Sequence, residues 1–179
     1  MLGVTMLDFW QWSGSNLMEN TMRGVLAEFI VAQGIGASTE GIRESWASYD
    51  LHAKDGSKIE VNSSSYIQSW AQKGLSKISF GIAPKRFWDE DKGEYTGEFK
   101  RHANVYVFAF LAPRIGEDIN PLDLDQWQFF VVSTTELEHR LGDKKTVTLS
   151  RLRTFADPTL FGGLNVAYRE ARKWAPAQP

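Results

Sequence analysis

Apolar residues recur at helical spacing in "NTMRGVLAEFIVAQGIG", where Met22, Val25, Leu26, Phe29, Ile30 and Gln33 follow i, i+3, i+4. This predicts a helix capped by Asn20 and stopped by Gly34 and Gly36. The period then drops to two. "YDLHA" and "KIEVN" read as short strands joined by "KDGS", whose Asp55-Gly56 pair is a hairpin-turn signal. Alternation sends Ile59 and Val61 to one face and Lys58, Glu60 and Asn62 to the other, with Asp50 on the neighbouring strand. "SSSYIQSWAQKG" reads as a serine-capped helix ending at Gly74, and the stretch from Leu75 to His102 as polar and turn-rich, with short strands at most around "ISFGI". "NVYVFAFLA" and "DQWQFFVVS" are continuous apolar runs, as in strands buried on both faces. Thr134 or Thr135 then caps a helix "TELEHRLG", "TVTLS" forms an edge strand, "LNVAYREARKWA" a final helix, and "PAQP" a loose tail. The order implies an α/β fold, a mixed sheet flanked by helices on both faces.

Composition narrows the class. A chain of 179 residues with 42% hydrophobic content suits one domain, with its core over residues 20–135 and a strand and helix extension over 136–175. No run of 18 apolar residues occurs, and the N-terminus lacks the basic start and apolar stretch of a signal peptide, so a soluble, cytoplasmic protein without membrane partners is expected. Zero cysteines exclude disulfides and thiolate zinc, and three scattered histidines leave oxygen as the main donor for any metal.

Net charge is −2, but it is unevenly spread. Residues 73–86 hold four cations and no acid, and residues 140–153 five cations and one Asp. Such clusters suit phosphates along one groove, or are simply solvated faces.

Two carboxylates on adjacent strands, aimed at one face, can hold Mg²⁺ or Mn²⁺ together with waters and a phosphate oxygen. Such an ion activates water and stabilises charge in phosphodiester hydrolysis, and a nearby lysine orients the attacking water. Glu28, the only charge between Gly24 and Gly36, is either a third functional carboxylate or the helix's solvated position.

Glu28 on a helix, Asp50 on a strand and Glu60-Val61-Asn62 on the next strand resemble the PD-(D/E)xK superfamily, which includes restriction endonucleases and Holliday junction resolvases. The phrases "RGVLAEFIVAQ", "KIEVNSSSYIQSW", "SKISFGI" and "ANVYVFAFL" look like a prokaryotic branch that typically reads "EVKSSAYLQSW", a likeness covering residues 20–112. The resemblance implies a restriction endonuclease-like αβββαβ core and a metal held by Asp50, Glu60 and the Val61 carbonyl, assisted by Glu28 through a water or second metal. It implies DNA as partner, Gln68 near the active face, where the residue alone reads equally as an ordinary surface glutamine, and Lys73, Lys77, Lys85, Arg86, Lys100 and Arg101 on phosphates. Cutting two strands with one centre per chain further suggests a homodimer.

Three positions depart from the pattern. Tyr49 stands in place of the nominal Pro, Asn104 in place of an Asp, and Asn62 in place of the lysine. An amide supplies neither a base nor positive charge. Lys58, on the Glu60 face, is the first candidate replacement and Lys73 the second. Ser63 to Ser65 suit helix capping or DNA backbone, and the tryptophans suit packing, with stacking an option for Trp70 or Trp88. Three readings stand: a metal-dependent DNA endonuclease weakened by Asn62, a non-catalytic DNA-binding protein on the same fold, and a domain whose hairpin serves a protein interface.

Overall fold

The computed structural model describes residues 3–43, 47–89, 92–113 and 118–175; the side chains of 87–89, Trp88 included, and the tail "PAQP" lie outside that description. In chain order the elements are α1 (Met6–Gly14), α2 (Asn20–Ile35), β1 (Leu51–His52), β2 (Lys58–Ser65), β3 (Ser79–Gly81), β4 (Lys85–Asp89), β5 (Glu94–Lys100), β6 (Val105–Leu111), β7 (Trp127–Ser133), α3 (Thr134–Leu141), β8 (Thr146–Thr148), α4 (Leu149–Leu152) and α5 (Leu164–Lys173).

The central sheet has the order β1-β2-β6-β7, with β2 parallel to β6 and the outer pairings antiparallel. It is a mixed sheet with flanking helices. Every residue of β6 is buried, because alternate side chains serve two cores. Val105, Val107, Ala109 and Leu111 join Trp127, Phe129 and the apolar residues of α2 and α5 on one face. Tyr106, Phe108 and Phe110 join Phe130, Val132 and residues of α3, α4, β3 and β8 on the other.

α2 runs where its periodicity placed it, but Glu19 rather than Asn20 is the cap, its carboxylate accepting from the Thr21 and Met22 N–H groups at 2.9 and 3.1 Å. Gly36, at φ 72°, ends the helix in the left-handed conformation that glycine adopts without strain. Gly34 lies inside α2 for a different reason. A Cβ there would fall 2.6 Å from Leu164 Cδ2, so its missing side chain lets α5 approach.

Several expectations are corrected. "SSSYIQSWAQKG" is not a helix: Ser63, Ser64 and Ser65 pair with Ala109, Phe110 and Leu111, prolonging β2, and residues 66–77 follow as a loop. Amide side chains satisfy that loop's backbone, Gln72 accepting from the Gln68 N–H at 2.7 Å and donating to the Tyr66 carbonyl at 3.2 Å. The polar stretch after it forms a β4–β5 hairpin, and "TVT" pairs with β3 in a small separate sheet. Ser133, not Thr134 or Thr135, caps α3, because the Thr134 hydroxyl donates to the Ala103 carbonyl.

The pattern of apolar residues did not predict α1, although Thr5 and Asp8 form a reciprocal capping box there. None of its residues is buried, and Trp12 is 85% exposed. Among the described residues no helix is long and apolar enough to cross a membrane.

Candidate functional site

β1 is only two residues long, and the place where it begins defines the site. The Asp50 N–H still donates to the Ile59 carbonyl at 2.9 Å, as in a continuing ladder. One residue further, the Asp50 side chain replaces backbone: its Oδ2 accepts from the Val61 N–H at 2.7 Å. Backbone groups of successive strand residues turn alternately to the two neighbouring strands. Val61, whose N–H turns to Asp50, therefore turns its carbonyl to the same edge of β2.

Glu60 and Asn62 lie opposite Tyr106 and Phe108 in the ladder and share their face of the sheet, while Ile59 and Val61 belong to the core beneath α2. Glu60 is 7% exposed, and its Oε1 accepts from Lys85 Nζ at 2.6 Å. A long flexible side chain from β4 thus brings an ammonium to the acid of the triplet. The buried Nδ2 of Asn62 has no hydrogen-bond partner. A buried donor left unmet costs free energy, so it marks a place that favours an acceptor.

Glu28 approaches the same edge from α2. It is not the helix's solvated position: it is 7% exposed and held by a forked pair from Arg43, Nη2 lying 2.7 Å from Oε1 while Nε meets Oε2. Asp50 sits between the two acids. Burial, then repulsion by Glu60 and Glu28, pushes its carboxyl up to about 7, against the opposing pull of the Val61 N–H and Lys85. Burial raises Tyr106 as well, with Glu60 adding to it. The centre is therefore three carboxylates answered by two cations, an electrostatic demand for further positive charge.

The other sequence candidates fall in different places. Lys58 shares the sheet face of Glu60, but its ammonium lies 5.3 Å over the Tyr49 ring. Lys73 and Lys77 are exposed on the loop after β2. Lys85, Arg86 and Lys100 are exposed at the base of the β4–β5 hairpin, where Lys85 and Lys100 face each other. Arg101 does not join them. Its guanidinium is buried and donates to the carbonyls of Ile82, Gly142 and Lys144, tying three segments together. Gln68 is also structural in its contacts: Nε2 donates to the Ser65 carbonyl at 2.8 Å and Ser76 Oγ at 3.2 Å, and Oε1 accepts from Arg23 at 3.2 Å. Asn104 serves the backbone too, its Oδ1 accepting from the Lys58 N–H at 2.8 Å. Arg43 was absent from the sequence candidates because it lies in a segment without periodicity.

A cleft of about 530 Å³ opens on the α2 side, between that helix, residues 38–43 and residues 47–52, with Glu28, Arg43 and Asp50 in its wall. Among the described residues no group of three or more His, Asp or Glu is arranged to hold a metal. Mg²⁺ asks for less, one or two carboxylates with its remaining positions taken by water or phosphate. Asp50, Glu60 and the Val61 carbonyl meet that requirement by donor type, and the Asp50 carboxyl is raised chiefly by burial, with Glu60 and Glu28 adding to it. The chain matches no protein-family model and no curated protein.

Proposed function

We propose that this chain is a metal-dependent DNA endonuclease of the PD-(D/E)xK type, with a restriction endonuclease-like core made of α2, the β1–β2 hairpin, β6 and β7. The observation that carries the reading is the junction at the start of β1, where Asp50 accepts from the Val61 N–H next to Glu60 and a lysine ammonium lies 2.6 Å from Glu60. Asp50, Glu60 and the Val61 carbonyl would hold Mg²⁺ or Mn²⁺, and Glu28 would act through a water. The ion, when bound, lowers the pKa of a water and stabilises charge on the phosphoryl group.

The chain's own residues supply the rest. Lys85 takes the place left vacant by Asn62: it is the cation at the triplet, positioned to orient an attacking water or to pair with a phosphate oxygen. Lys58 and Lys100, which with Lys85 lie near His102, extend positive charge for neighbouring phosphates, and Arg86 is exposed beside Lys85.

One observation favours the second reading, DNA binding without cleavage. The Lys85 ammonium already neutralises Glu60, the acid a metal needs. The two readings separate when the protein is incubated with supercoiled, branched and single-stranded DNA in Mg²⁺, Mn²⁺ or EDTA, beside Asp50→Asn. Cutting in Mg²⁺ that is abolished by EDTA and by the variant supports the endonuclease. Salt-dependent binding without cutting leaves only the second, and no binding at low salt removes both.

A further inference from the structure

We propose that the cleft beside Asp50 receives one unpaired nucleobase of the strand whose phosphate meets Asp50 and Glu60, so that the substrate class is DNA with unpaired bases at the point of cleavage. The inference rests on the nuclease reading and specifies its substrate. Asp50 belongs to both places: it lines the cleft, and it lies close enough to Glu60 for their charges to interact. A nucleotide whose phosphate is held there has its base within reach of the cleft and of little else.

The cleft suits a base in size and lining. About 530 Å³ holds a nucleoside and is too small for a stacked duplex. Phe29 and Ile42, next in sequence to the paired Glu28 and Arg43, line it and are 53% and 96% exposed. They offer apolar surface for the two faces of a flat ring. Glu28 and Asp50 offer acceptors for exocyclic amino groups, and Ser38 and Thr39 hydroxyls that both donate and accept.

The backbone has its own track on the other side of Asp50. Lys58, Lys85 and Lys100 all lie near enough to His102 to oppose its protonation, adding to the effect of its burial. One of the three, Lys85, reaches Glu60, and a strand crossing them would direct its base toward α2. Extruding a base from intact duplex costs pairing and stacking, which flaps, branches and single strands have already lost.

The test is fluorescence anisotropy on a single strand, a flap and a blunt duplex of one sequence, in Ca²⁺, a hard oxygen-binding cation that can bridge the carboxylates and a phosphate as Mg²⁺ would, with a gel to check that nothing is cut. The wild type is expected to bind the first two at least tenfold more tightly than the duplex. Phe29→Ser with Ile42→Ser should reduce that preference to below threefold and leave duplex binding unchanged; both side chains face solvent, and circular dichroism checks the fold. A 2-aminopurine at the unpaired position should be quenched on binding to wild type and not to the double variant. Equal affinity for duplex and single strand, or equal loss on both in the variant, overturns the cleft assignment while leaving the nuclease reading intact. No binding to any DNA overturns both.

Discussion

Lys85 Nζ lies 2.6 Å from Glu60 Oε1, although 25 residues and a small strand separate them in the chain. Asn62, two residues from Glu60 on the same face, carries the amide where a lysine is expected, so the ammonium arrives from β4 instead of β2. On the nuclease reading Lys85→Ala lowers the single-turnover nicking rate by about 10²- to 10⁴-fold, the range for losing a positioned proton-transfer or charge-stabilising group. Asn62→Lys in that background restores at least tenfold, because the new ammonium starts from the same face as Glu60. Nicking by Lys85→Ala at the wild-type rate would leave the pair a surface contact.

Asp50 gives a pH-dependent stability in metal-free protein. Its folded carboxyl is raised to about 7 from an ordinary 3.8, chiefly by burial and then by Glu60 and Glu28. Between those values the folded state holds a proton that the unfolded state has lost, so stability falls as pH rises from about 4 to about 7 and stays low above. Asp50→Asn can still accept from the Val61 N–H and removes the charge. In EDTA it should be more stable than wild type at pH 8, by about 2 kcal/mol after allowing for partial exposure, and no more stable at pH 4. Thermal melts at the two pH values check this. Millimolar Mg²⁺ should raise the wild-type melting temperature at pH 8 and leave the variant unmoved.

The Glu28–Arg43 pair is half in solvent, with the Arg43 side chain 40% exposed and that of Glu28 9%. Arg43→Ala strands a buried carboxylate. A fully buried pair broken this way costs about 3–5 kcal/mol, and solvent at the arginine reduces that to about 1–2 kcal/mol, or roughly 2–8 °C in melting temperature. Glu28→Gln with Arg43→Ala should recover most of the loss, because the acid that needed the cation is gone.

The sequence disclosed those parts of the fold whose signal is local. α2, β6 and β7 follow from period and from apolar runs, and the hairpin from Asp55-Gly56. Ser63 to Ser65 misled because serine has a strong capping preference, whereas β6 lying alongside makes these residues strand. Asp50 and Glu60 were identifiable as acids on neighbouring strands. Lys85 at Glu60 and Arg43 at Glu28 were not, since each contact is made across a turn or loop whose course no periodicity describes. Arg101 carries the same charge as Lys100 beside it, and only burial tells the tie between carbonyls from the surface cation.

Tyr168 joins the C-terminal helix to the hairpin turn. Its hydroxyl lies 2.8 and 3.0 Å from the two Asp55 carboxylate oxygens, with Arg172 Nε 3.7 Å away. Burial, with Asp55 adding to it, pushes the phenol up to about 12, so it remains a donor throughout the working range. Tyr168→Phe keeps the ring in the core and removes the bond, at a cost of about 1 kcal/mol. The expected signature is earlier proteolysis within α5 and, on the nuclease reading, unchanged nicking, because the hairpin's own turn is closed by the Gly56 N–H on the Ala53 carbonyl.

Gln68 separates a catalytic from a structural role. Its amide meets Ser65 and Ser76 on one side and the buried Arg23 guanidinium on the other, so it fixes the loop after β2 to the start of α2. Arg23 has an unpartnered Nε already, and burial lowers its pKa from the usual arginine range. Gln68→Ala removes a further acceptor from that guanidinium and should cost about 1–3 kcal/mol. Gln68→Glu restores the acceptor and adds a charge opposite Arg23, but forfeits the donors to Ser65 and Ser76; it should fall between wild type and alanine in melting temperature. If Gln68 acts only through the fold, both variants cut at the wild-type rate below their melting range with an unchanged KM. A fall in kcat at a temperature where circular dichroism shows the variant fully folded would instead place Gln68 at the phosphate.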